Sequence, residues 1–153
     1  MALTNNLRIN ISSTLTDIVG IASVSASVLK SISSQLTDAA TSIFTADGTA
    51  PATPFLTVYD LADESITDPL STAVSFEQLE LIFFYNKSEN DITLGGGADD
   101  IAVLADGIIV PTGGIILLTG TYSIGVGADQ ITVTGTAEGD DYELIIIGGD
   151  IPV

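Results

Sequence analysis

Between Ser75 and Leu94 the chain reads SFEQLELIFFYNKSENDITL, two extended segments about a polar turn. Side chains alternate along a strand, so Leu79, Leu81, Phe83 and Tyr85 share one face. On the other face Gln78 and Glu80 give way to Ile82 and Phe84, so the strand starts half-exposed and ends apolar on both sides. Such a strand needs cover on both faces and belongs in the middle of a sheet. Asn86, Lys87, Ser88, Glu89 and Asn90 supply turn-forming side chains, and Asp91–Leu94 resumes the alternation until Gly95–Gly97 stops it. The expectation is a central antiparallel hairpin.

From Thr41 the remaining signals are also those of strands. Ser42–Thr45 reads as a short strand, Ala46–Thr53 as a loop marked by Asp47-Gly48 and Pro51, and Phe55–Leu61 as an alternating strand. Asp63–Thr72 reads as a polar connection. Further strands are expected at Ile101–Leu104, Ile108–Val110, Ile115–Leu118, Gln130–Thr134 and Tyr142–Gly148. Asp106-Gly107, Val110-Pro111-Thr112-Gly113, Gly125–Gly127 and Glu138–Asp141 separate them as turns. About eight or nine short strands at this spacing predict one antiparallel β-sandwich, jelly-roll-like, over residues 41–153.

Residues 1–40 have a different character. Leu7, Ile9 and Ile11 alternate with Arg8 and Asn10 as a short strand would. Ser12–Ala40 is rich in Ser, Thr and Ala with spaced aliphatics. Leu15, Ile18 and Val19, and later Val28, Leu29, Ile32 and Leu36, fit a helical face, whereas Val24, Ala26 and Val28 fit a strand equally well. This N-terminal arm, mixed or extended, is expected to pack on its own domain, on a partner subunit or on a capsid.

Charge narrows the possible partners. Three cations, Arg8, Lys30 and Lys87, face 20 acids for a net charge of −17. A field of that sign repels phosphate backbones and anionic lipid, so neither nucleic acid nor membrane is an expected partner. No Cys or His is present, which removes the usual zinc, copper and haem ligands and the Ser-His-Asp and Cys-His nucleophile systems. MALTNNLRIN lacks the basic start and apolar run of a signal peptide. The longest apolar stretch, Ile108–Leu118, is broken by Pro111, Gly113 and Gly114 and is too short for a spanning helix. A soluble protein without a cleaved signal is expected.

The acidic clusters are the remaining candidates for a site. Gly95-Gly96-Gly97-Ala98-Asp99-Asp100 has the look of a single glycine-aspartate calcium repeat, but such repeats cage an ion only when several copies stack. Asp99, Asp100 and Asp106 could converge as hard oxygen ligands; turn capping is the stronger expectation for them and for Glu138, Asp140 and Asp141. Asp63/Glu64 and Asp99/Asp100 are paired carboxylates with no register that sets them across a cleft. No catalytic, cofactor-binding or metal-ligating residue is assigned, and no enzyme is expected. The surplus of apolar side chains is the firmer signal. Ile115–Leu118 and Ile145–Ile147 put aliphatics on both strand faces, whereas a two-sheet sandwich has one interior.

Taken in order, Ser42-Ile43-Phe44, Leu56–Ala62, Ile66-Thr67-Asp68, Val74-Ser75-Phe76 with Leu79 and Leu81, and the Tyr85-Asn86-Lys87-Ser88 turn resemble a group of small proteins encoded among tailed-phage virion genes. Ile92–Gly97, the Pro111–Gly114 turn and the closing Tyr142–Gly148 extend the resemblance, which spans residues 35–153. Its charge imbalance sets this chain apart from a typical member. The resemblance implies a non-enzymatic virion component. The expectation is a decoration or cement subunit on the exterior of a tailed-virus capsid; the alternatives are a receptor- or glycan-binding spike, head-fibre or tail component and, apart from the resemblance, a calcium-binding extracellular β module. The expected partners are the major capsid protein and the chain itself, as a homotrimer in which Ile115–Leu118 and Ile145–Ile147 abut the three-fold axis.

Overall fold

The structure, a computed structural model, describes residues 42–68, 71 and 73–149. The arm expected over residues 1–40 lies outside the described residues. The strands are β1 (Ser42–Ala50), β2 (Thr57–Asp60), β3 (Ile66–Thr67), β4 (Ala73–Val74), β5 (Gln78–Asn86), β6 (Ile92–Leu94), β7 (Ile108–Val110), β8 (Ile115–Ser123), β9 (Gln130–Gly135) and β10 (Asp140–Gly149). They form two four-stranded sheets, β1-β10-β5-β8 and β2-β9-β6-β7, with β3 and β4 as a separate ribbon. All the strand pairings are antiparallel. The chain is an all-β antiparallel sandwich.

One long hairpin, rolled up, produces this order. Its tip is β6 with β7; moving outward, β5 pairs β8, β2 pairs β9 and β1 pairs β10. Pairing of β10 with β5 and of β9 with β6 then completes each sheet. The roll is driven by one continuous interior. Phe44, Leu79, Ile82, Phe84, Leu144 and Ile146 from the first sheet meet Ile92, Leu94, Val110, Ile131 and Val133 from the second. Fully burying one such side chain is worth about 1.5–3 kcal/mol. Leu61, Phe76, Ile101 and Leu104 close the end of the sandwich near Gln130, all within the same buried cluster.

Several local expectations change. β5 is central, as its two-faced pattern demands, but β5 and β6 are not a hairpin: they lie in different sheets, and the Asn86–Asn90 turn crosses between them. Within β5 the register with β10 steps from Ile147↔Leu81 to Gly148↔Leu79, making Glu80 the extra residue of a bulge. Leu79 therefore joins Ile82 and Phe84 inside, while Leu81 stays with Phe83 and Tyr85 on the outer face. β1 continues through the expected Ala46–Thr53 loop as far as Ala50. Gly48 marks close packing there, since a Cβ would sit 2.9 Å from the Tyr142 hydroxyl oxygen. Ala102–Leu104 is a 3-10 turn that plugs the interior, closed by Leu104 N–H donating to the Ile101 carbonyl at 2.8 Å. The Asp63–Thr72 connection carries parts of the β3–β4 ribbon.

Candidate functional site

The β1-β10-β5-β8 sheet is apolar on the face turned away from the interior as well. Strand register sets its side chains in rows. Ile43, Ile147, Leu81 and Thr119 lie opposite one another in turn, then Thr45, Ile145, Phe83 and Leu117, then Asp47, Glu143, Tyr85 and Ile115. The two stretches singled out in the sequence, Ile115–Leu118 and Ile145–Ile147, thus flank β5, and their outward members Leu117 and Ile145 both face Phe83. Leu81 and Ile147 are 0% and 1% exposed, although neither belongs to the cluster between the sheets. Phe83 lies on the face of β5 that its alternation marks, and Ile43 completes the row on β1. The alternation of β1 and β5 carried that signal, and it becomes a surface only once β10 is known to lie between them.

Acids gather at one margin of this face. Asp47, beside Glu143 in the register, pairs with the Lys87 ammonium, the only basic side chain between Ser42 and Gly149. The Asp47 hydrogen bond holds the Lys87 pKa above its usual value. The pair is solvent-accessible and contributes little to stability.

The loop carboxylates are engaged locally. Asp100, 4% exposed, accepts from Gly97 N–H at 2.6 Å and from the Thr132 hydroxyl at 2.7 Å through Oδ2. Its Oδ1 and the Thr134 hydroxyl are buried without a hydrogen-bond partner among the described residues. Asp140 repeats the arrangement, its Oδ2 accepting from Ala137 N–H at 3.0 Å while Oδ1 accepts from the Asn90 amide at 2.8 Å. Burial raises the Asp140 pKa, but donation from Asn90, the Ala137 and Thr136 amides and Ser88 outweighs it, leaving the carboxyl below the usual Asp range. Asp63 Oδ1 accepts from Ser65 N–H at 2.8 Å. Asp99 turns toward Gly127, its Oδ1 3.9 Å from where a Cβ there would stand. Among the described residues no three acidic side chains converge into a set that could hold a cation.

Asn86 ties this end of the roll together. Fully buried, it donates through Nδ2 to the carbonyls of Asn90 at 2.7 Å and Val110 at 2.9 Å, and its Oδ1 accepts from Ser88 N–H at 2.9 Å. The polar turn therefore holds β5, β6 and β7 in place. The Ser88 hydroxyl donates to Asn86 Oδ1 at 2.8 Å and Asn90 donates to Asp140, so these three side chains are committed locally.

No protein-family model, curated protein or solved structure matches the chain. Among the described residues no helix is long and apolar enough to cross a membrane.

Proposed function

We propose that this chain is a non-enzymatic structural component of a virus particle, a jelly-roll decoration or cement subunit bound to the outside of a tailed-virus capsid. The observation that carries the reading is the second apolar face of the β1-β10-β5-β8 sheet, from Ile43 across Ile147 and Leu81 to Phe83 and Leu117. A sheet apolar on the side away from the interior needs protein to cover that side too. Two further points support it. The sequence resembles small tailed-phage virion proteins, and Asp100 Oδ2 and both oxygens of Asp140 accept from loop amides and neighbouring side chains. The partners in this reading are the major capsid protein and further copies of the chain, assembled as a homotrimer.

Imaging an intact particle tests the proposal. Density for this domain repeated over the outer capsid lattice is the expected result. Density confined to one vertex or to the tail would replace decoration with a spike role, and absence from the particle would overturn the reading altogether.

A further inference from the structure

The four edge strands of the sandwich are not protected alike. On one side run β1 and β2, which carry Asp47 and Asp60. On the other run β7 and β8, joined by the short Pro111–Gly114 turn, and neither carries a charge. From Gly107 to Ala128 no residue is charged, in a chain with 20 acids. Acids, lysines and prolines on edges are the usual guards against pairing with another chain, and this side of the molecule has none within its strands. The wall is also open. Ile109 is 68% exposed, Ile115 is 48% exposed, and Val126 at the tip of the following turn is fully exposed. β8 is nine residues long and has no strand beyond it among the described residues, so that backbone edge runs for about 30 Å.

We propose that the β7–β8 wall is the surface through which copies of this chain contact one another. The argument for a second copy is electrostatic. A molecule of net charge −17 repels its own kind wherever acids are exposed, and only three cations are available to relieve that. A charge-free wall is complementary to itself in a way that the Asp47 and Asp60 edges are not. Contact through it removes apolar surface from water without bringing carboxylates together, and the open β8 edge can add backbone hydrogen bonds.

This inference rests on the self-association in the reading above, not on its capsid attachment. The test is sedimentation of the purified full chain at low and high salt. Three variants are compared: Ile115→Asp, Val126→Asp at the solvent-exposed turn, and the opposite-edge control Val58→Asp, whose parent side chain is 48% exposed. Far-UV circular dichroism and melting establish that each variant folds. The expected result is an assembly that tightens with salt, weakens at least tenfold in Ile115→Asp and Val126→Asp, and is unchanged in Val58→Asp. Val126→Asp keeps the test open should Ile115→Asp fail to fold. A monomer at every salt, wall variants that assemble like the parent, or a control that dissociates equally would overturn the inference. Particle binding is read separately: a monomer that binds capsids sinks the wall but spares the decoration role, and an assembly that never binds them does the reverse.

Discussion

The hydroxyls of Tyr59 and Tyr142 meet at 2.6 Å across the interior, joining β2 of one sheet to β10 of the other. Tyr142 is fully buried and stacks on Phe84 with ring centroids 5.4 Å apart, while Phe44 tilts against Tyr59 at 5.2 Å. Burial raises the pKa of both phenols; for Tyr59 the hydrogen bond to Tyr142 raises it further, and for Tyr142 the bonds to Tyr59 and Thr57 partly oppose the effect.

Tyr142→Phe keeps the stack and deletes the bridge, leaving the Tyr59 hydroxyl short of a partner. The expected cost is about 1–3 kcal/mol, a melting temperature lower by several degrees. Tyr142→Ala also opens a cavity and costs about 3–5 kcal/mol. The pH dependence has a definite sign. Phenols of the unfolded chain ionise near pH 10, below the raised folded values, so stability falls as pH climbs beyond about 10. Melts between neutral pH and pH 11 should show that fall, and show less of it in Tyr142→Phe.

Asp140 works in the opposite direction. Its folded pKa is depressed, so the stability it contributes is present above the unfolded value of about 3.9 and lost as pH drops through the folded value. Asp140→Asn keeps an acceptor but loses the charge that strengthens the bonds from Asn90 and Ala137. It should cost about 1–3 kcal/mol at pH 7, and the gap to the parent should close below pH 4. Thermal melts of both proteins from pH 2 to 7 measure it. A gap that does not change with pH would mean the carboxylate charge is idle.

Gly148 lies against β5 where the register shifts, and a Cβ there would stand 2.2 Å from the Gln78 carbonyl oxygen and 3.0 Å from Leu79 Cα. Both obstacles are backbone, which cannot swing aside. Gly148→Ala should therefore destabilise by at least about 1–3 kcal/mol, with folding yield falling accordingly. Gly125→Ala, with nothing within 4 Å of its Cβ, is the matched control and should be close to neutral. Denaturant midpoints of the two variants check the contrast.

Gly148 also shows how far the sequence was legible. The strand expected to end at Gly148 runs on through Gly149 in β10, and Gly148 is small because β5 passes close by. Gly48 misleads for the same reason: Asp47-Gly48 looks like a turn, and the glycine instead makes room for Tyr142. Alternation is a local property, so the strands and their two-faced character could be read residue by residue. Which strands pair is set by long-range contacts that no local pattern encodes. The Asn86–Asn90 turn was visible as a turn, but whether it closes a hairpin or crosses between sheets depends on Val110 accepting from Asn86 at 2.9 Å, from a residue far along the chain. The outer apolar face was half legible. Ile145 and Leu117 stood out, and their meeting at Phe83 required the strand order.

Salt should stabilise the fold itself, apart from any assembly. Basic side chains are scarce, three in the whole chain, and the Lys87–Asp47 pair is exposed, so its loss to screening is minor. Repulsion is abundant, because 20 acids are confined to one small chain with three cations. The Debye length falls from about 30 Å at 0.01 M salt to about 3 Å at 1 M, so distant carboxylates that oppose one another at low salt cease to do so at high salt. The unfolded chain spreads the same charges farther apart and gains less from screening. The melting temperature should therefore rise steadily with sodium chloride, at protein concentrations low enough to keep the chain monomeric. Potassium chloride should do the same, since screening depends on ionic strength and not on a particular cation. A flat or falling melting temperature would show that the carboxylates are too widely spaced or too well hydrated for their mutual repulsion to matter. A rise seen only with a divalent cation would point instead to a specific site among the loop acids.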